Sequence, residues 1–171
     1  MRRLFTDQGD PPHRHCDLFG LSLSWELDGP VLLDLLEQQR IPIWSHARTD
    51  EHPIVFGGGP VLTANPEPLA PFFDVVLLGD GEDLLPAFID ALQSVKGQPR
   101  AEQLQHLARV PGIYVPELHA PRYAADGTLL GVAPVDATLP ERVAKQTWRG
   151  NSLSHSTCLL YTSPSPRDAH K

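Results

Sequence analysis

Cysteine and clustered basic residues are scarce in this sequence, and their scarcity excludes several kinds of function. Cys16 and Cys158 are the two cysteines among 171 residues, so the chain supplies neither a disulfide framework nor a four-cysteine zinc site. Its 14 Lys and Arg face 21 Asp and Glu, for a formal net charge of −7, and no stretch concentrates the basic residues. Because nucleic-acid binding needs a positive surface, we expect small-molecule or protein partners and no nucleic acid.

Long apolar runs are also lacking. No run approaches the roughly 18 to 20 residues that span a bilayer, and the first residues, MRRLFTDQGDPP, lack the apolar stretch of a signal peptide. We therefore expect a cytoplasmic protein with no membrane partner. The apolar fraction of 41% suits one globular domain with a core and some peripheral structure.

Motifs for catalysis by the chain itself are missing from the sequence. There is no Gly-x-Ser-x-Gly elbow and no Walker loop, and no histidine can be placed beside Cys16 from sequence. The eight histidines are scattered, and His13 and His15 alone share a metal-ligand spacing on one element. We predict no catalytic residue and no metal ligand in this chain.

The sequence does contain an alternation of buried strands and amphipathic helices. Strands are predicted at 17–25, 52–56 and 75–78, and helices at 30–39, 65–73 and 84–92. The second helix is expected to start at Asn65-Pro66, because asparagine caps free amides and proline has the φ angle of a first helical residue. A further helix at 102–109, a strand at 112–115 and a hairpin at 122–133 follow. This pattern predicts an α/β fold, a Rossmann-like (flavodoxin-like) parallel sheet with helices on both faces and a small C-terminal hairpin.

Glycines and serines cluster where the first two strands end. Parallel sheets bind ligands at the carboxyl ends of their strands. Gly57, Gly58 and Gly59 would let a backbone approach a ligand closely, although a tight turn that needs positive φ explains them equally well. Ser22 and Ser24 are weaker candidates, because hydroxyls near a strand end more often just line the strand.

The third strand ends in a second glycine turn that carries acids. Asp80, Glu82 and Asp83 surround Gly79 and Gly81 at the start of the next helix, where a phosphate would otherwise bind. A phosphate ligand is therefore disfavoured. Glu82 would accept hydrogen bonds from a ligand rich in amides or hydroxyls, unless these acids only cap the helix.

Three segments together resemble the amino-terminal part of radical S-adenosylmethionine (radical SAM) proteins that have a cobalamin-binding domain. They are DLFGLSLSWELDGPVLLDLLE, HPIVFGGGPVLTANPEPLAPFFDVVLLGDGEDLLPAFIDAL and VPGIYVPELH, and the resemblance covers residues 17–157. Its most specific part is GGGP followed by NPEP and then GDGE, in both identity and spacing.

The resemblance implies a division of the chain. Residues 1–16 would be a lead-in, 17–110 a cobalamin-binding domain that is incomplete, and 111–157 a linker and hairpin leading to a radical SAM barrel. That barrel would bind a 4Fe-4S cluster and S-adenosylmethionine through a Cys-x-x-x-Cys-x-x-Cys loop, and no such loop is present here. This fragment is therefore expected to be non-catalytic. Histidine ligation of cobalt is not expected, because Asp50-Glu51-His52 lacks the glycine of the Asp-x-His-x-x-Gly pattern.

The resemblance also implies where cobalamin would bind. The corrin would lie against the strand ends. The residues expected to line it are Ser22, Ser24, Gly57, Gly58, Gly59, Gly79, Gly81 and Glu82.

The end of the chain is expected to be non-native. Residues 158–168, CLLYTSPSPRD, look like a reading frame through a transposon adapter used in shotgun sequencing libraries. All 11 residues match consecutively, which makes chance improbable. We exclude residues 158–171 from the fold and do not count Cys158 as a cluster ligand.

Two other functions remain open from the sequence. The domain could bind no corrin and serve only to pack against the barrel. It could also be a free-standing nucleotide-binding protein of flavodoxin-like shape, for which the glycine turns are the only support. The dinucleotide fingerprint fails at both turns, because Leu62 and Leu84 stand where its third glycine belongs.

Overall fold

A computed structural model describes residues 16–150 as a four-stranded sheet with helices on both faces, followed by a two-stranded hairpin. The strands are β1 (Leu18–Ser22), β2 (Ile54–Gly58), β3 (Val75–Leu77), β4 (Ile113–Tyr114), β5 (His119–Tyr123) and β6 (Leu129–Pro134). The helices are α1 (Gly29–Gln38), α2 (Pro60–Ala64), α3 (Gly81–Ser94) and α4 (Arg100–Leu107). The expected α/β class with a hairpin extension is confirmed. The lead-in before residue 16 and the adapter-like tail lie outside the described residues.

The sheet has the order β1-β2-β3-β4, and its last strand departs from the expected parallel arrangement. β1, β2 and β3 are parallel, whereas β4 pairs antiparallel with β3, with Val76 opposite Tyr114. Two helices, α3 and α4, separate β3 from β4 and pack on each other. A single helix returns the chain for another parallel strand, whereas a second helix reverses it once more, so β4 enters from the opposite end.

Alternate residues of the strands enter two separate cores, one on each face of the sheet. Val75 and Leu77 of β3 face one core, and Val76 between them faces the other. The first core includes Leu84, Phe88 and Leu92 of α3 with Leu104 and Leu107 of α4. The second includes Leu32 and Leu36 of α1, Leu62 of α2, and Phe73. Helices therefore cover both faces, as predicted.

The prediction that a helix starts at Asn65 is wrong. α2 occupies Pro60–Ala64, with Pro60 in its first turn and the Asn65 amide donating to the carbonyl of Val61. Asn65 therefore ends this helix, and its side chain accepts a hydrogen bond from the Glu67 amide at 3.2 Å to form a turn. Asparagine followed by proline suits a turn as well as a helix start, and an earlier proline had already begun the helix.

Residues 144–148, which we call the strap, return to the sheet although their sequence has no strand pattern. The Gln146 amide donates to the carbonyl of Leu78 at 2.9 Å, and the Asp80 amide donates to the carbonyl of Gln146 at 3.0 Å. Gln146 and Gly79 thus form a parallel bridge. Pairing with β4 reaches as far as Leu78, whose amide donates to the carbonyl of Gly112. Beyond Leu78, the strap replaces β4 beside the chain.

Candidate functional site

The parallel strands give the sheet two unlike edges. At the carboxyl edge, β1, β2 and β3 end in the serine and glycine segments that the sequence singled out. At the amino edge the same strands begin. A cavity of about 670 Å³ lies at the amino edge beside Leu18, Ile54 and Arg100, and one of about 180 Å³ lies at the carboxyl edge beside Leu78.

A buried ionic network lies at the amino edge, beside the larger cavity. The Asp74 carboxylate, just before β3, lies 3.1 Å from Arg48 Nη1 and 2.6 Å from Arg100 Nη2, and it accepts the Val55 amide at 2.7 Å. The Arg48 side chain also donates to the carbonyls of Pro42, Ile43 and Phe72. The Arg100 side chain donates to the carbonyls of Thr49, His52 and Pro53. The network joins the 41–53 loop to β2, β3 and α4.

The network is structural, because its donors and acceptors are used within the protein. Burial lowers the pKa of Arg48, and the charge and hydrogen bond of Asp74 oppose that shift. Two cations and one anion buried together remain tolerable because six backbone carbonyls accept from the guanidinium groups. His52 also lies at this edge, before β2, away from the strand ends where cobalamin was expected.

The predicted triple glycine divides into three different environments at the carboxyl edge. Gly57 lies inside β2, and a Cβ there would lie 2.5 Å from Leu62 Cδ1 and 2.7 Å from Phe73 Cε1, so its missing side chain admits core atoms. Gly59 has φ 99°, and a Cβ there would meet the carbonyl oxygen of Leu23 at 2.6 Å. Gly58 has ordinary contacts only, the nearest at 3.8 Å to the carbonyl oxygen of Leu77. Gly58 is thus the member of the triplet that intramolecular packing does not require.

The two serines lie on either side of the end of β1. Ser22 is the last residue of the strand, and its Oγ lies 3.1 Å from the position that a Cβ of Gly59 would take. Ser24 lies beyond the strand, so its expected place within β1 is wrong. Both side chains are exposed. Leu23 between them is buried and its amide donates to the carbonyl of Gly58, which holds the chain to β2.

The second glycine turn is partly covered by the strap. Gly79 has φ 128°, and a Cβ there would collide with the backbone of Gln146. The Asp80 carboxylate accepts from the Trp148 amide at 2.9 Å and makes no capping bond within α3. Gly81 and Glu82 form the first turn of α3, where both are exposed and a Cβ on Gly81 would meet nothing within 4 Å. Gly79 therefore accommodates the chain itself, whereas Gly81 and Glu82 remain open.

The smaller cavity lies between the 65–67 turn, the end of β3, the hairpin and residues 141–143, which precede the strap. Its polar lining includes Glu67, Tyr114, His119, Glu141 and Arg142. The Tyr114 hydroxyl donates to Glu67 Oε1 at 2.7 Å. Burial, together with the hydrogen bond and negative charge of Glu67, raises the pKa of Tyr114, so the hydroxyl stays protonated at neutral pH.

Sequence reasoning missed the residues of this cavity and of the ionic network. Asp74 carried a usable signal, since it is a charged residue inside the apolar run from Phe72 to Leu78. Gln146 carried none, because its neighbours along the chain show no motif. His119 ends the family-like segment VPGIYVPELH, but nothing in that segment marks the histidine as a site residue.

An exposed apolar patch lies beside the carboxyl edge, just after β1. It consists of Trp25, Leu27 and Val31, which are 61%, 74% and 53% exposed. Leu27 and Val31 are spaced by one helical turn where a short 3-10 turn runs into α1. Apolar side chains this exposed and this close together are typical of a surface that contacts another protein.

Two kinds of feature are absent from the described part of the chain. Among residues 16–150, no group of three or more His, Cys, Asp and Glu side chains is arranged to hold a metal ion. None of the helices in that range is long and apolar enough to cross a membrane.

Comparison with known proteins identifies the α/β part of the chain. No curated protein and no solved structure matches the sequence. A family model described as "Radical SAM proteins, N-terminal" matches residues 2–116 and ends just after β4, so it includes the whole four-stranded sheet and excludes the hairpin and the strap. Glycine turns at the strand ends, the two-faced α/β core and this match over most of the sequence agree, and the chain belongs to the family of radical SAM protein N-terminal domains.

Proposed function

We propose that this domain is a non-catalytic module of a radical SAM enzyme that packs its carboxyl edge against the catalytic barrel. The supporting observation is the apolar patch of Trp25, Leu27 and Val31 beside the edge that the strap crosses. The strap carries the chain along the carboxyl edge after the hairpin, so a domain that follows it would begin at the same edge of the sheet as the patch. The 4Fe-4S cluster and S-adenosylmethionine would belong to that barrel, and a cytoplasmic location remains part of this proposal.

The chain's own atoms fill the space beside two of the candidate glycines. This observation favours a domain that packs against the barrel over one that binds a cofactor. A Cβ at Gly57 or Gly79 would collide with other residues of the chain, so internal packing explains why these positions are glycine without a ligand. Aromatic and large aliphatic side chains, by contrast, contribute most of the free energy of a protein interface. Trp25, 61% exposed, is the strongest such side chain at this edge.

A binding experiment in trans tests this function. The catalytic barrel of a full-length family member would be produced separately and titrated with this chain in a calorimeter. Trp25→Ser combined with Leu27→Ser should weaken binding about 30-fold or more, as loss of an interface anchor does. Leu130→Ser is the matched control, because Leu130 is 69% exposed on the hairpin, away from the patch. Equal weakening by both variants, or no binding by the unmodified chain, would refute the proposal.

Cobalamin binding is a second candidate, supported by the part of the carboxyl edge that stays open. The chain's own atoms leave four of the expected residues accessible, namely Ser22, Gly58, Gly81 and Glu82. The Glu82 carboxylate would accept hydrogen bonds from amide groups. When bound, cobalamin would supply methyl-carrier chemistry, and these residues would only hold and orient it. Gly57 and Gly79 do not fit this role, because their missing side chains admit Leu62, Phe73 and Gln146.

Visible absorbance separates the two candidates. Titration of the folded chain with hydroxocobalamin should shift the corrin bands if the open residues bind it, and Gly58→Leu should abolish the shift. Unchanged bands with a folded protein would remove cobalamin and leave the packing function. Nucleotide binding has less support, since acids at Asp80, Glu82 and Asp83 surround the start of α3, where a phosphate would bind.

A further inference from the structure

The strap is held to the carboxyl edge by hydrogen bonds and not by burial of its side chains. Leu139 and Val143 fix the chain before it, since Leu139 belongs to one core of the sheet and Val143 packs against the other. In residues 144–148 themselves, three side chains are exposed and two are half-buried. A segment without a buried apolar side chain opens locally more easily than the elements that form the cores.

Asp80 makes two of the three hydrogen bonds that join the strap to residues 78–80 of the described chain. Its amide donates to the carbonyl of Gln146 at 3.0 Å, and its carboxylate accepts from the Trp148 amide at 2.9 Å. The third bond runs from the Gln146 amide to the carbonyl of Leu78. The strap therefore occupies both the backbone amide and the carboxylate of Asp80.

Asp80 is also the N-cap residue of α3, where the same two groups have another use. The first amides of a helix have no partner within it, and an N-cap aspartate normally accepts from one of them. Asp80 has the extended backbone that this role requires, with φ −79° and ψ 132°, yet it makes no capping bond within α3. The strap thus takes the carboxylate that would otherwise cap the helix.

Asp83 supplies the other half of a capping box. In this arrangement the N-cap side chain accepts from the amide three residues on, and the side chain of that residue accepts from the N-cap amide. Asp83 stands three residues after Asp80, and its side chain is exposed. An aspartate reaches back in this way elsewhere in the chain, since the carboxylate of Asp28 accepts from the Trp25 amide at 3.2 Å. The strap and the capping box would thus use the same amide and the same carboxylate of Asp80.

We propose that the strap is a lid on the carboxyl edge and that Asp80 switches between two sets of partners. With the lid closed, Asp80 bonds to Gln146 and Trp148. With the lid open, Asp80 forms a capping box with Asp83, and the backbone of residues 78–80 becomes accessible. Two of the three bonds lost on opening are replaced, so opening costs less than the loss of three hydrogen bonds. The inference rests on the strap and α3 alone and holds for either function proposed above.

Asp83 gives the sharpest test, because it makes no hydrogen bond to the strap in the described structure. Asp83→Ala removes the capping box and so disfavours the open lid. Hydrogen exchange of the Gln146 and Trp148 amides, measured by NMR on the full chain, should slow about threefold to tenfold, as expected for loss of one capping interaction. Glu82→Ala is the matched control, since Glu82 is an exposed acid of the same turn outside the capping positions, and it should leave the strap amides unchanged.

The strap amides separate the switch from a purely structural strap. Slower exchange in Asp83→Ala alone supports the switch. Unchanged or faster exchange in that variant, or equal slowing in both variants, would overturn it. A strap that only packs on the sheet does not respond to the loss of an acid to which it is not bonded.

Trp148 gives the reverse test. Trp148→Pro removes the amide that donates to Asp80, whereas Trp148→Ala keeps this amide and removes the indole. In Trp148→Pro the freed carboxylate should cap α3, so exchange of the Asp83 amide should slow about threefold or more. Trp148→Ala should leave the Asp83 amide unchanged. Unaltered Asp83 exchange in Trp148→Pro, or equal slowing in both variants, would show that Asp80 has no second set of partners and would overturn the proposal.

Discussion

The two edges of the sheet use polar groups in opposite ways. At the amino edge, three donors surround one oxygen of the Asp74 carboxylate, and six backbone carbonyls accept from the guanidinium groups of Arg48 and Arg100. At the carboxyl edge, His119 Nε2 is buried and has no hydrogen-bond partner within residues 16–150, and Glu82 and Ser22 face solvent. Charge alone therefore does not identify a functional site. The polar groups left unused by the fold are the better candidates for binding a ligand.

Replacing Asp74 should produce the largest loss of stability, because it removes the anion at the centre of the ionic network at the amino edge. Asp74→Asn leaves two buried guanidinium groups without their anion and should lower the free energy of unfolding by about 3–5 kcal/mol. Urea denaturation followed by circular dichroism measures the change. The exposed pair of Asp17 with Lys96 is the control, and Asp17→Asn should cost less than about 1 kcal/mol. Similar small effects at both sites would show that the buried network does not hold this edge.

Replacing Gly79 should release the strap from the carboxyl edge. Gly79→Ala places a Cβ against Gln146 at a φ of 128°, so we expect a loss of about 2–3 kcal/mol. Hydrogen exchange at Trp148 should accelerate, because its bond to Asp80 depends on the strap. Gly81→Ala is the control, since that site is open and helical, and its stability should rise slightly or stay the same. Protection of Trp148 that survives Gly79→Ala would contradict this view of the strap.

The neighbouring glycines Gly57 and Gly58 of β2 should differ in how much stability is lost when each is replaced by alanine. Gly57→Ala forces a methyl group against Leu62 and Phe73 and should cost about 1–2 kcal/mol in thermal denaturation. Gly58→Ala meets only ordinary contacts and should stay within about 0.5 kcal/mol of the unmodified chain. The reverse order would mean that the structural requirement for glycine lies at Gly58.

Acidification should destabilise the hairpin turn, with a smaller effect than any of the substitutions above. The backbone and side chain of Thr128 hydrogen-bond to Asp126 and lower the pKa of its carboxyl below 3.8. The folded hairpin thus favours the charged form, so its contribution is present above the ordinary pKa and is lost as pH falls through the lowered value. The Thr128 amide shift should titrate with a midpoint below 3.8, and Asp126→Asn should remove the transition. A midpoint at or above that value would contradict the turn geometry.

Local signals predicted most of the fold. Apolar runs ending in glycine identified β2 and β3, and Asp126-Gly127 identified the hairpin turn, because these signals depend on residues next to one another. The start of α2 was wrong because Pro60 and Pro66 carry the same local signal, and packing of Leu62 against Phe73 decides between them. The antiparallel direction of β4 depends on how α3 and α4 pack, which no local pattern contains.

The candidate site was predictable only in part. The sequence placed Gly58, Gly81 and Glu82 at strand ends, and the structure leaves all three accessible there. It could not show that Gly57 and Gly79 serve internal packing, since a glycine that admits a ligand and one that admits a leucine have the same sequence. Nor could it place His119, whose neighbours in the cavity come from five separate segments.

The sequence by itself determined the alternation of strands and helices, the acidic character of the turn after β3 and the membership of a radical SAM N-terminal family. These properties follow from hydrophobic periodicity and from short motifs. Tertiary structure alone decided that a distant segment, the strap, covers the end of β3, and that Asp74 joins two arginines far from it along the chain. Both arrangements satisfy buried backbone or charged groups, and the partner of such a group is set by proximity in space.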